Sequence, residues 1–290
     1  MVETETADIP TQATGKAAFR IAPLTTHVGA ELLDIDLAQD QPEGTFEEMR
    51  RLLAHYGVLF FRDQQLTVEQ YVALGRRFGT LEGNDTLEHV EGAPQVGLLI
   101  KERDHVTSIG DMWHTDHSYM ASPAKATMLR AIEVPPHGGD TLFTHIGHSF
   151  ATLPEGLKAT LRTLGALHSR THLIKDGKYA AQYFKERPSK TATDKLGATA
   201  VHPVVIPHPE TGQEMLFVNP GYVVKFDGWT AKHSAGLLAS LYDHCLQPDY
   251  QCRFRWREDS IAIWDNRSVW HYAVNDYHGH RRVMQRLVIS

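Results

Sequence analysis

Cysteine is scarce in this chain of 290 residues: Cys245 and Cys252 are the two, and their spacing matches neither a zinc finger nor a redox pair. They read as free, reduced thiols, which suits the cytoplasm. No run of about 18 apolar residues occurs, so no membrane span is expected. No basic block occurs either, and the formal charge of −6 makes nucleic acid an unexpected partner. The opening stretch, "MVETETADIPTQATGKAAF", lacks the apolar centre of a secretory signal, and residues 1–18 read as a disordered lead-in. No internal repeat is visible. What remains, 42% hydrophobic and 22% charged, is the composition of a soluble globular protein, here expected as one domain over 19–290.

Turn residues punctuate short extended runs from "FRIAPLTTHVGAELLDIDL" (19–37) onward. Phe46, Met49, Leu52, Leu53 and Tyr56 share one face of a helix over 46–56 that Gly57 can end, and the apolar run "VLFF" (58–61) reads as a buried strand. Thr67 with Gln70 forms a capping-box signature for a helix through Phe78, closed by Gly79. Two more helices are expected near 154–164 and 230–245. Later segments read as hairpins: "VHPVVIPHPETGQEMLFVN" folds around "HPETGQ", and "SIAIWDNRSVWHY" meets "RRVMQRLVI" across "AVNDYHGH". Residues 174–200 are polar and poorly periodic, a surface insertion with a mobile lid as its functional alternative. The pattern is mostly β with peripheral helices around a jelly-roll core.

The chemistry centres on "WHTDHSYM" (113–120). On a strand, residues two apart face the same side, so His114 and Asp116 can present an imidazole and a carboxylate to one point. Eighteen histidines and 35 acidic residues make roughly two such pairs expected by chance, and three occur: His114–Asp116, His89–Glu91 and His208–Glu210. The last two lie in turn-like stretches. The pair supplies two legs of a two-histidine, one-carboxylate site that leaves three positions open on non-haem Fe(II). His271, in "WDNRSVWHY", can be the third leg. Arg282 and Arg286, four apart on a strand, share a face, and inward arginines need anions. Two solvated arginines on an exposed face are the plain alternative.

Taken in order, "WHTD", "PPHGGDT" (135–141), "HPVVIPHPETGQEMLFVN", "IWDN", His271 and "RRVMQR" resemble the taurine dioxygenase/TfdA-like family of Fe(II)- and 2-oxoglutarate-dependent dioxygenases, from about residue 20 to the last residue. The resemblance implies a double-stranded β-helix (jelly-roll, cupin-like), with His114, Asp116 and His271 as catalytic iron ligands. It places Arg282 and Thr141 on the distal carboxylate of 2-oxoglutarate and Arg286 on a substrate anion. Fe(II), 2-oxoglutarate and O2 are the implied cofactor and co-substrates, with succinate and CO2 released. The partner is a small anionic molecule, and self-association is left open.

The resemblance fails where taurine-cleaving members carry a histidine and a tyrosine after the "FG" helix end: Asn84 and Leu87 stand there. An aromatic wall after "LHS" is replaced around Leu173 and Ile174. Tyr222 and Asn219 match pocket-lining positions, with core packing as the alternative for Tyr222. Trp264 reads as packing beside the metal, Asp265 and Asn266 as holding a strand end or turn, and His145, His148, His168 and His172 as structural or surface residues. The pocket keeps an anion anchor but is more apolar than one for taurine. An alkyl sulfonate or sulfate, or an aryloxyalkanoate, fits it. Hydroxylation or desaturation of an amino-acid-like or other carboxylic acid is the alternative. A zinc hydrolase built on the same three ligands, or a non-catalytic acid-binding jelly-roll, are lesser ones.

Overall fold

In a computed structural model the described residues are 19–83, 87–170, 181–182, 185–186 and 197–290. Asn84, His172, Leu173 and Ile174 lie outside them, as does most of 174–200. Helix α1 (Glu43–Tyr56) starts three residues before its expected position and buries Phe46, Met49, Leu52, Leu53 and Tyr56. Gly57 ends it in the left-handed region at φ 71°, its N–H bonded to the Leu53 carbonyl. A Cβ there would also lie 2.4 Å from Val269, so backbone strain and close approach both require glycine. Helix α2 (Val68–Arg76) carries the expected reciprocal Thr67–Gln70 capping box but stops two residues short of Phe78. Helices α3 (Ile146–Ala151), α4 (Glu155–Leu161) and α5 (Ala231–Cys245) follow. Among the described residues no helix is long and apolar enough to cross a membrane.

Strands dominate. In chain order they are β1 (Arg20–Pro23), β2 (Ala30–Leu33), β3 (Val58–Phe61), β4 (His89–Val90), β5 (Ala93–Lys101) and β6 (Ala126–Glu133). Then come β7 (Thr141–His145), β8 (Gly165–Ser169), β9 (Thr199–Pro203), β10 (Val205–Pro207) and β11 (Glu214–Leu216). The last are β12 (Val223–Phe226), β13 (Gln251–Phe254), β14 (Ile261–Asp265), β15 (Val269–Ala273) and β16 (Arg282–Ile289). Among the described residues one sheet has the order β1-β2-β3-β14-β6-β16-β5-β4, and smaller ones are β13-β7-β15, β12-β8-β9 and β10-β11.

Period-two alternation assigns the two faces of the large sheet. Leu59 and Phe61 of β3, Ile261 and Ile263 of β14, and Leu287 and Ile289 of β16 pack on α1 and α2. Their alternates Val58, Phe60, Ala262, Trp264 and Met284 meet Phe143, Phe254 and Val269 of the β13-β7-β15 sheet. Both faces of β3 and β14 are thus covered, which explains why the sequence there is almost uninterruptedly apolar. On β16 the parity that turns Met284 inward also turns Arg282 and Arg286 into the space between the sheets.

The hairpin around "HPETGQ" is present as β10 paired with β11. The expected hairpin of "SIAIWDNRSVWHY" with "RRVMQRLVI" is not formed. β15 pairs with β7, whereas β16 lies between β5 and β6 in the other sheet. The connection over 274–281 crosses between sheets rather than turning back, so His271 and Arg282 face each other from opposite walls. Residues 199 and 200 belong to β9, so the end of the expected insertion is sheet.

Candidate active site

His114 is a single bridge residue, not part of a regular strand, and Asp116 sits in the turn that follows. The expectation that a strand aligns them is corrected, and a different device brings the groups together. His114 and His271 are directly opposite each other in an antiparallel bridge, exchanging both backbone bonds (N to O 3.1 Å and 2.9 Å). Residues so paired project their side chains to the same face, and the two rings lie 4.1 Å apart. Asp116 reaches the same point from the turn: its Oδ1 is 3.6 Å from His114 Nε2 and its Oδ2 3.8 Å from His271 Nε2.

All three side chains are buried, and their ligand atoms lie within 4.8 Å of one another. Neighbouring ligands of an ion bonded at ~2.1 Å sit about 3 Å apart, so the two carboxylate–imidazole distances close on an ion with shifts of less than an ångström each. His114 Nδ1 lies 2.8 Å from the Met112 carbonyl, which places its proton there and leaves the Nε2 lone pair toward the cavity. Burial, together with His114, pushes His271 well below the ordinary histidine range, which favours the neutral imidazole. Burial works against ionisation of Asp116, but Arg286, His271 and His114 outweigh it and hold the carboxyl well below its usual range. Two imidazoles and a carboxylate are a donor set that fits Fe(II).

These groups line a cavity of about 180 Å3, with Arg282, Thr141, Arg286, Leu87 and Tyr222 also on its wall. Arg282 is buried, and among the described residues neither its Nε nor its Nη2 has a hydrogen-bond partner. Those two nitrogens form the side-on edge of the guanidinium, the edge that grips a carboxylate with two parallel bonds. Burial lowers its pKa, and Tyr277 opposes that shift. The Thr141 hydroxyl accepts from Trp256 Nε1 at 2.9 Å, so its own proton is left to donate.

A family described as "Taurine catabolism dioxygenase TauD, TfdA family" matches residues 20–288. The chain belongs to this family. This TauD/TfdA-family enzyme is thus an alpha-ketoglutarate-dependent dioxygenase, 2-oxoglutarate being the same keto acid. It is 29% identical to the alpha-ketoglutarate-dependent sulfate ester dioxygenase of Pseudomonas putida over 93% of this chain and 89% of that protein. It is 32% identical to the (S)-phenoxypropionate/alpha-ketoglutarate-dioxygenase of Sphingobium herbicidovorans, over 88% and 89% respectively. The crystal structure of a taurine dioxygenase from Burkholderia xenovorans superposes with a TM-score of 0.79 at 30% identity, covering 94% of this chain and 89% of that one.

In this TauD/TfdA-family site Thr127 was not foreseen, nor was the contact of Arg286 with Asp116. Arg286 Nη2 lies 2.9 Å from Asp116 Oδ2, a close ion contact without the alignment of a hydrogen bond. Thr127 on β6 donates to the same oxygen at 2.7 Å. Asn266 Nδ2 donates to Thr127 Oγ1 at 3.0 Å, and Trp264 Nε1 donates to Asn266 Oδ1 at 2.9 Å. This chain steers Asp116 so that Oδ1 is left for the cavity. Thr127→Val should lower Fe(II) affinity about 10–100-fold, as loss of an outer partner does, with the fold intact by circular dichroism. Anaerobic Fe(II) titration checks this, and unchanged affinity would reject the steering role.

Trp264 also packs on His271, rings 4.6 Å apart. Asp265 and Asn266 hold more than the strand end: Asp265 receives Arg267 and lies 3.1 Å from His208 Nε2. His208, Glu210 and Asp265 also cluster, but Arg267 already supplies the cation, contacting Asp265 and lying 3.0 Å from Glu210. His145 Nδ1 caps α3 by accepting from Gly147 and His148. His168 is fully buried, and Asn219 bonds Ser118 and the Tyr222 backbone.

Proposed function

We propose that this dioxygenase hydroxylates a small organic anion, an alkyl sulfate or sulfonate or an aryloxyalkanoate, with His114, Asp116 and His271 holding Fe(II). Arg282 and Thr141 take the distal carboxylate of 2-oxoglutarate, and Arg286 provides positive charge beside the substrate. One substrate molecule, one O2 and one 2-oxoglutarate give the hydroxylated product, succinate and CO2. When bound, the iron supplies the site at which 2-oxoglutarate is oxidatively decarboxylated and O2 is activated. Hydroxylation at a carbon bearing sulfate, sulfonate or aryloxy oxygen lets that group leave, with a carbonyl compound as the second product.

The chain's own share is orientation, charge and exclusion of water. Leu87, Tyr222 and the neighbouring apolar wall receive the carbon skeleton, while Asn84 and Ile174, outside the described residues, remain proposed substrate contacts. A double-stranded β-helix is the proposed core, with the β13-β7-β15 sheet facing the large sheet across the site. The buried thiols of Cys245 and Cys252, both pushed up to about 12 by burial, suit a cytoplasmic setting.

The observation that carries the reading is the empty side-on edge of Arg282 in the same cavity as the triad. A zinc hydrolase would give that arginine no anion to hold. With Fe(II), 2-oxoglutarate and O2, a panel of alkyl sulfates, alkyl sulfonates and phenoxyalkanoates should release succinate in step with consumption of one class. No substrate-dependent succinate across the panel would reject the reading.

A further inference from the structure

One cation on the cavity wall is not used by the roles above. Arg170, immediately after β8, lines the cavity, and its Nε is buried with no hydrogen-bond partner among the described residues. Its guanidinium carbon lies 5.5 Å from the centre of the Tyr119 ring. Tyr119 packs on Tyr222 at 4.9 Å, and Tyr222 meets His114 edge-on at 5.9 Å. An aromatic ladder therefore runs from a member of the triad to this guanidinium.

We infer that Arg170 is the substrate-recognition residue that receives the anionic head of the primary substrate, forming with Arg286 a two-arginine clamp beside Tyr222. The inference rests on the dioxygenase reading for the identity of the site. Arg286 cannot serve alone, because it is engaged at 2.9 Å by Asp116. Both guanidiniums line the same cavity as Tyr222. Charge balance gives the class of ligand. Fe(II) and the three wall arginines carry five positive charges; Asp111, Asp116 and dianionic 2-oxoglutarate carry four negative ones. One positive charge is left, so a monoanion neutralises the loaded site, and a sulfate ester, sulfonate or carboxylate meets that requirement. A guanidinium stacked on an aromatic ring keeps its in-plane donors for such a head group.

The test is binding to Fe(II)- and 2-oxoglutarate-loaded enzyme without O2, by calorimetry, of hexyl sulfate, hexanesulfonate and phenoxyacetate. Arg170→Gln should weaken the best of these ten- to hundredfold, with Arg170→Lys restoring part of the loss. Affinity for 2-oxoglutarate and the melting temperature should stay near the wild-type values. Affinity for the anions unchanged in Arg170→Gln, an equal loss of 2-oxoglutarate affinity, or no binding of any of the three by the wild type overturns the assignment. Arg170-dependent binding with no succinate after O2 is admitted would reject the dioxygenase reading and leave this assignment standing.

Discussion

His271→Ala should cut substrate-dependent succinate formation by about a thousandfold or more, well beyond the roughly 10–100-fold typical of an outer partner. One of the three proposed ligands is gone, and no buried partner charge is left unpaired. Asp116→Ala should be equally inactive but should also unfold more readily. Arg286 lies 2.9 Å from Asp116 in a buried setting, and removing one partner of a buried ion pair costs about 3–5 kcal/mol. In a chain of this size that corresponds to a melting temperature lower by about 5–8 °C. Succinate assays and thermal unfolding on the two variants separate the effects. Equal melting temperatures would mean that Arg286 does not depend on Asp116, and retained turnover in either variant would remove that residue from the metal site.

Arg282→Met should raise the KM for 2-oxoglutarate at least a hundredfold, since two charge-assisted bonds worth about 1.5–3 kcal/mol each are lost. The same change should leave the ligand-free protein as stable as the wild type or more so. A buried guanidinium with two unsatisfied nitrogens is a cost, and an apolar side chain of similar length removes it. Wild type at 100 times its Kd for 2-oxoglutarate should gain about 2.7 kcal/mol of apparent stability, and the variant should gain no more than about 0.4 kcal/mol at that concentration. Arg286→Ala should act mainly on the organic anion and on turnover. Equal effects of the two arginine changes on both KM values would dissolve the division between them.

The sequence made the donor types legible, because His114, Asp116, His271, Arg282 and Thr141 sit in motifs whose order is informative by itself. It also made the inward direction of Arg282 and Arg286 legible through parity on β16. The joining device was less visible. Two residues apart suggested a strand at 114–116, but a turn begins at Asp116, and alignment comes from a partner far along the chain. The misread hairpin has the same origin: alternation reports which residues share a face, and is silent on which sheet a strand joins. Thr127 and Arg170 escaped notice for a related reason. Each is an ordinary polar residue locally, and becomes part of the site when β6 or the end of β8 is set beside the turn carrying Asp116 and Tyr119. Helix ends missed by two or three residues because Glu43 and Gly44 extend α1 beyond its apolar face, which begins at Phe46.

The reciprocal bridge between residues 114 and 271 is a clasp fastened across more than half the polypeptide. Ring closure over that length carries a large entropic penalty, and an ion seated on both imidazoles would be seated on both halves of the clasp. Loading a metal there would tighten both segments at once and not merely one pocket wall, so the amides of His114 and His271 would be the backbone reporters through which iron occupancy is felt as slower hydrogen exchange.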